Sequence, residues 1–132
     1  MSPSNKIKNL LPVILLTALT ALTALTALPA HTQQVSYDGV KPAVIIDVRT
    51  PAEFATGHIP QAVNIPLDRI STDIYILKHL DRQSPILLYC RSGRRSAQAR
   101  EILMRQGFPM AIDGGDIKAV AKRLKTCNNK LC

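Results

Sequence analysis

The sequence predicts a single α/β domain built as a small parallel sheet flanked by helices. Short apolar runs rich in β-branched residues alternate with segments of helical spacing along residues 43–126. Continuous apolar runs are typical of strands that helices cover on both faces, as in parallel sheets. Alternating strands and helices favour crossover connections within one sheet. The length of the chain is sufficient for one domain of this kind.

The N-terminal segment has the composition of a secretory signal peptide. Residues 1–9 carry two lysines and no acid, and residues 10–28 are uncharged and contain four Thr-Ala-Leu repeats. A basic start, an apolar stretch and small residues before a polar segment predict export, with cleavage after Ala30. The alternative for residues 1–30 is an uncleaved membrane anchor, because an apolar run of about 19 residues is near the lower limit for spanning a bilayer. Both interpretations predict a periplasmic or otherwise exported domain.

The charge of the remaining chain points to anionic partners. Residues 31–132 contain 15 of the 17 basic residues and all nine acidic ones, so their net charge is about +6. Such a balance favours small anionic substrates or an anionic lipid surface. Export and the low aromatic content of 4% argue against nucleic acid. A domain of this size can act as a monomer, which is the expected state.

The first predicted elements follow a polar lead-in. Residues 31–42 are polar and contain turn signals, so we expect a linker, and the folded domain begins near Ala43. Residues 43–48 form the first predicted strand. Thr50 and Glu53 then have the spacing of a capping box, which predicts the start of a short helix that Gly57 ends.

The later elements place one cysteine at the functional edge of the sheet. The predicted strands lie at 62–65, 86–89 and 110–112, and the predicted helices at 67–77, 96–106 and 117–124. In parallel sheets the binding crevice lies at the carboxyl ends of the strands. Because Cys90 directly follows the third strand, we expect it in this crevice.

The segment after Cys90 combines small and basic residues. It comprises Arg91, Ser92, Gly93, Arg94, Arg95 and Ser96. Guanidinium groups and the amides of a helix N-terminus stabilise an anion, and glycine allows the backbone to turn its amides inward. The pattern therefore predicts a lowered pKa and a nucleophilic thiolate at Cys90. A buried structural thiol is the alternative for a lone cysteine, and at least one of the three arginines is expected to point to solvent.

The motifs of the chain resemble those of the rhodaneses. Residues 90–96 resemble the rhodanese active-site loop, in which Cys is followed by two residues, Gly, one residue, Arg, and Ser or Ala. Residues 47–54 and 57–66 resemble the first motif of the family, and residues 113–115 resemble its glycine pair before the last helix. The resemblance spans residues 43–124. Together with the predicted export, it makes the chain similar to the exported, periplasmic rhodaneses of the phage-shock kind.

This resemblance implies a rhodanese-like domain at residues 43–126 and a sulfurtransferase activity. The Cys90 thiolate would take a sulfane sulfur from thiosulfate or a similar small anionic donor and carry it as a persulfide. The loop after Cys90 would bind the substrate through its amides and arginines, and a thiophilic acceptor, cyanide or a thiol, would receive the sulfur. No metal or organic cofactor is required.

Three further motif residues have supporting roles in this interpretation. Asp47 and Arg49 are expected to form a structural ion pair or to brace the active loop, rather than to take part in the chemistry. His58 is expected to be a turn residue bonded to the backbone, with proton donation as the less favoured role. Gln61 stands where the family usually has glycine, which makes the local turn unusual.

The other two cysteines lie in a short tail, residues 127–132. In an oxidising compartment Cys127 and Cys132 are a disulfide candidate, which leaves Cys90 free. The alternative is that the tail pair acts as a redox partner of Cys90.

Two other function classes remain as alternatives. A Cys-loop phosphatase places five residues between its Cys and Arg, whereas here Ser96 holds that position and Arg95 comes one residue earlier. A non-catalytic module could bind a metal or a partner through the cysteines, although the tail spacing is weak evidence and no histidine accompanies it.

Overall fold

The computed structural model describes residues 33–126. The elements in chain order are β1 (Val35–Tyr37), β2 (Val44–Asp47), α1 (Pro51–Ala55), β3 (Val63–Asn64), α2 (Ile70–Asp73), a 3₁₀ turn (Ile74–Ile76), β4 (Ile86–Cys90), α3 (Arg94–Arg105), β5 (Ala111–Asp116), α4 (Ile117–Arg123) and β6 (Leu124–Thr126). Strand and helix alternate as predicted. Nowhere in this part of the chain is a helix both long and apolar enough to traverse a bilayer.

The main sheet is parallel, which confirms the predicted fold class. Its four strands lie in the order β3-β2-β4-β5. Every residue of β4 is buried, and β4 lies between β2 and β5. The register places Asp47, the last residue of β2, beside Tyr89. Because parallel strands end at the same edge, the segments that follow Asp47 and Cys90 share one crevice.

The alternation of side chains along β4 determines which face carries Cys90. Ile86, Leu88 and Cys90 belong to one apolar cluster, which includes Leu103 of α3. Leu87 and Tyr89 point the other way, into a second cluster with Val120 of α4 and Tyr37 of β1. Successive side chains of a strand lie on opposite faces, so the Cys90 sulfur lies on the face that α3 covers.

The prediction of a linker at 31–42 is wrong where the structure describes it. β1 pairs antiparallel with β6 in a separate two-stranded sheet. Tyr37 is buried, and its hydroxyl donates to the Gly114 carbonyl oxygen at 3.4 Å. The guanidinium of Arg123 lies over the Tyr37 ring and pairs with Asp38. The folded part therefore begins before Ala43, because tertiary contacts order a segment whose local composition is polar.

Several element bounds differ from those predicted. The helix predicted at 67–77 is a single helical turn, α2, continued by a 3₁₀ turn, and the N-cap residue Arg69 makes no side-chain capping bond. α3 begins at Arg94 rather than Ser96, since Gly93 adopts the left-handed conformation and acts as the N-cap. Leu124 belongs to β6 rather than to the last helix. The predicted leader at 1–30 and the cysteines of the 127–132 tail lie outside the described residues.

Candidate active site

The Cys90 sulfur lies under the turn between β4 and α3. The side chain is fully buried, and the Gly93 amide donates to Sγ at 3.0 Å. The Ser96 hydroxyl lies 3.8 Å from the same sulfur. The sulfur is thus held by groups of the next six residues, as the sequence predicted for a loop that turns its amides inward.

Gly93 permits this close turn. Its φ of +92° lies in the left-handed region, which side chains other than glycine rarely adopt. A Cβ at this position would also lie 3.4 Å from the Cα of Gly115. The glycine of the loop and the glycine pair before α4 therefore pack against each other, which brings two motifs that are distant in sequence to one site.

The surroundings of Cys90 lower the pKa of its thiol. Burial opposes this, because a thiolate loses solvation in the interior. The backbone amides of Ser96, Ser92 and Gly93 outweigh burial by donating toward the sulfur, and the Ser96 hydroxyl contributes less. The Ser96 hydroxyl has a single proton, which it donates to an Asp113 carboxylate oxygen at 2.6 Å.

The three arginines of the loop do not act together on the sulfur. Arg91 and Arg94 are exposed. Arg95 is partly buried and donates to both Glu53 carboxylate oxygens, at 2.7 and 2.8 Å. Glu53 is the first cause of the raised pKa of Arg95, and the charge of Cys90 adds to it. Among the predicted binding arginines, Arg95 is therefore the one that joins the loop after Cys90 to the helix α1.

Sequence reasoning assigned Glu53 to helix capping alone. The capping box is present: the Glu53 amide donates to Thr50 Oγ1, and the Glu53 carboxylate accepts from the Thr50 amide. Pairing with Arg95 comes first among the causes that lower the pKa of Glu53 to about 2. Arg95 is 42 residues away, so only the placement of both motifs at the same sheet edge could have signalled this contact.

Asp113 is a second residue whose contacts the sequence did not reveal. One of its carboxylate oxygens accepts from Ser96 Oγ at 2.6 Å and from the Gly115 amide at 3.0 Å. Asp113 therefore ties the first turn of α3 to the glycine pair. Its position directly before two glycines was the available signal.

Asp47 and Arg49 form the expected ion pair. Both residues are buried, and the Arg49 guanidinium donates to both Asp47 oxygens, with the shortest distance at 2.6 Å. This hydrogen bonding raises the pKa of Arg49. Arg49 also donates to the Gly57 carbonyl oxygen at 2.6 Å and lies over the Tyr89 ring. Through these contacts Asp47 and Arg49 brace the wall of the crevice.

His58 and Gln61 shape the connection before β3. Nδ1 of His58 lies 3.1 Å from the Phe54 carbonyl oxygen, and the imidazole stacks on the Phe54 ring at a centroid distance of 3.8 Å. Gln61 has a φ of +68°. Glycine adopts such a conformation without strain, which gives a physical reason for the glycine that rhodaneses usually have at this position.

A cavity of about 250 Å³ opens beside Arg95. Its walls are formed by Val48, Thr50, Pro66, Leu67, Asp68 and Arg95. Within residues 33–126, no group of three or more His, Cys, Asp or Glu side chains is arranged to hold a metal ion.

Comparison with known proteins gives one consistent family. Residues 31–119 match the family model of the rhodanese-like domain. Thiosulfate sulfurtransferase PspE of Escherichia coli K12 is 36% identical over 80 residues, which cover 58% of this chain and 72% of that protein. A sulfurtransferase of Allochromatium vinosum is 40% identical over 65 residues, which cover 49% and 58%.

A solved structure shares the same fold. The rhodanese with anions from Escherichia coli superimposes with a TM-score of 0.56 at 32% sequence identity. The match covers 64% of this chain and 98% of the other.

Proposed function

The chain belongs to the rhodanese family, and from this membership we propose that it is a thiosulfate sulfurtransferase that carries sulfur on Cys90. The relatives named as sulfurtransferases support transfer of sulfur as the reaction class. The observation that carries the assignment to Cys90 is the Gly93 amide, which donates to the buried sulfur at 3.0 Å.

The first half-reaction loads the enzyme. The Cys90 thiolate attacks the outer sulfur of thiosulfate, the sulfur–sulfur bond of the donor breaks, and sulfite leaves with the bonding electrons. The amides of Ser92, Gly93 and Ser96 stabilise the reactive thiolate and then the terminal sulfur of the persulfide. The exposed Arg91 and Arg94 attract the anionic donor to the rim.

The second half-reaction returns the free thiolate. An acceptor, cyanide or a thiol, attacks the terminal sulfur of the persulfide, and Cys90 departs as a thiolate. Asp47, Arg49 and His58 support the crevice through the ion pair and through the contacts of Arg49 and His58 with the Gly57 and Phe54 carbonyl oxygens. This chemistry uses only thiol, amide and guanidinium groups, so we propose no cofactor.

The proposal also includes the site of action. Residues 1–30 would direct the domain out of the cytoplasm as a signal peptide or hold it at a membrane as an anchor. Cys127 and Cys132 would pair in that compartment, and the domain would act as a monomer. Peptide mapping of the unreduced protein tests the pairing, and a link from Cys90 to either tail cysteine would contradict it.

The test of the function is thiosulfate-to-cyanide transfer by the wild type and by Cys90→Ser. We expect thiocyanate from the wild type and essentially none from the variant, because serine cannot form a persulfide. Mass spectrometry should show that thiosulfate adds one sulfur atom to the wild type alone. Circular dichroism of both proteins controls for folding. Thiocyanate production by Cys90→Ser would move the nucleophile to another residue.

The phosphatase alternative is tested with the same preparation. We expect no hydrolysis of a phosphotyrosine analogue by the wild type, because the loop from Cys90 to Arg95 is one residue shorter than a phosphatase loop. Hydrolysis abolished by Cys90→Ser would contradict the argument from loop size.

A further inference from the structure

The cavity beside Arg95 lies at the same sheet edge as Cys90. It is walled by Val48, which follows β2, and by Pro66 and Leu67, which follow β3. Val48 and Cys90 belong to one apolar cluster, with Leu67 packed against it. Arg95 lines the cavity and belongs to the loop that follows Cys90, and the Val48 amide donates to the carbonyl oxygen of Tyr89, the residue before Cys90, at 3.0 Å. The cavity is therefore positioned to hold a molecule that approaches the sulfur.

The cavity offers little net positive charge to such a molecule. Glu53 accepts two hydrogen bonds from Arg95, and the pKa of Glu53 is lowered to about 2, so the pair stays ionised and mutually compensated at neutral pH. Asp68 adds a carboxylate to the wall, while the exposed Arg91 and Arg94 do not line the cavity. A second anion is disfavoured there, and apolar contacts with Val48, Pro66 and Leu67 are available.

We propose that this cavity binds the sulfur acceptor, and that the acceptor is a thiol carried on a small, uncharged, apolar group. This inference rests on the proposed persulfide at Cys90. The thiol sulfur forms a bond to the terminal persulfide sulfur, and the bond from that sulfur to Cys90 breaks. The products are the alkyl persulfide and the Cys90 thiolate, and the proton of the acceptor thiol passes to solvent, so no oxidant or reductant is needed.

The test compares two acceptors that share a three-carbon skeleton. Enzyme loaded with thiosulfate is presented with 1-propanethiol or with 3-mercaptopropionate, and kcat/KM is measured for each. The wild type should prefer the uncharged thiol. Leu67→Ala should lower kcat/KM for 1-propanethiol by roughly tenfold, because methylene contacts are lost from the acceptor site. Asp68→Asn should raise kcat/KM for 3-mercaptopropionate by roughly threefold, since a nearby negative charge is removed.

Leu77→Ala is the matched control. Leu77 is also half-buried and packs against the same apolar cluster, but it lines a different cavity, together with Ala43, Val44, His79 and Leu80. It should leave the ratio of the two kcat/KM values unchanged. Equal loss of preference in the Leu67 and Leu77 variants, or a wild-type preference for 3-mercaptopropionate, would overturn the acceptor assignment.

The two levels of the proposal fail differently. Persulfide formation on Cys90 is read by mass before any acceptor is added. If thiosulfate adds no sulfur, the proposed function is wrong. If the persulfide forms but Leu67→Ala and Asp68→Asn leave the acceptor preference unchanged, only the acceptor site is wrong.

Discussion

The ends of strands β2 and β4 lie side by side and use charge in opposite ways. After β2, Asp47 and Arg49 bury their charges against each other, and a Gly57 carbonyl takes a further guanidinium bond. After β4, backbone amides converge on one sulfur whose thiol pKa is thereby lowered. Ionisable residues at the edge of a sheet therefore differ in role: those paired with an opposite charge stabilise the fold, whereas a thiolate held by backbone amides can still react.

This difference also separates stability from activity. Arg49 is 6% exposed and Asp47 is 0% exposed, so loss of one partner leaves a buried charge without compensation. The loop after Cys90 has exposed members, Arg91 and Ser92, that substrate can reach. Substitutions at the β2 end should therefore unfold the domain, whereas substitutions at the β4 end should affect the reaction first.

The largest effect is expected from Asp47→Ala. Removing the carboxylate leaves the Arg49 guanidinium buried without its partner, which should lower the free energy of unfolding by about 3–5 kcal/mol. Urea denaturation of the wild type and the variant measures this loss. Asp73→Ala is the control, because the Arg69–Asp73 pair has Arg69 63% exposed and should contribute far less to the free energy of unfolding than the buried pair. Similar losses in both variants would contradict the distinction between a buried and a surface pair.

The sequence predicted the sheet well because its central strands are buried on both faces. The short apolar run of β4 predicts a strand covered on both faces, and the position of Cys90 in the crevice follows from the end of that strand. β1 was not predicted, since three residues in a polar segment gain their order from β6 and from the second apolar cluster. Local composition does not contain that information.

The sequence predicted the kinds of residue in the site better than it predicted their contacts. Residue types showed which groups could stabilise a thiolate, but not which of them face it. Arg95 pairs with Glu53, which belongs to a different motif, and Asp113 accepts a hydrogen bond from Ser96. These contacts join segments that only the fold brings together, so spacing along the chain could not reveal them.

An intermediate effect is expected from Gly93→Ala. The positive φ makes alanine unfavourable by about 1–2 kcal/mol, and a shift of the loop would weaken the amide bond to Sγ. Weakening a charge-assisted bond of this kind should reduce thiosulfate-to-cyanide transfer by roughly 10-fold to 100-fold. The pH at which iodoacetamide alkylates Cys90 at half its maximal rate should rise in the variant, because the amides favour the thiolate.

Gly39→Ala separates the conformational cost from the effect on the site. Gly39 also has a positive φ, +82°, but a Cβ there would meet no atom within 4 Å, and the residue is not part of the crevice. The Gly39 variant should lose a similar amount of stability and keep the wild-type alkylation profile and transfer rate. If Gly93→Ala matched the Gly39 control in all three measurements, the amide at residue 93 would have no role in activating Cys90.

The smallest effect concerns the pair that joins the two strand ends. Glu53 has a pKa lowered from about 4.5 to about 2 by Arg95 and Thr50. Because its folded-state pKa is depressed, its stabilising contribution is fully present above about pH 4.5 and is lost as the pH falls through about 2. Glu53→Gln should therefore lower the free energy of unfolding at neutral pH by less than about 1 kcal/mol, the size typical of partly exposed pairs. Urea midpoints measured between neutral and acidic pH should converge for the two proteins below pH 4.5. A difference that stayed constant down to pH 2 would show that the capping geometry, rather than the charge of Glu53, stabilises this corner of the crevice.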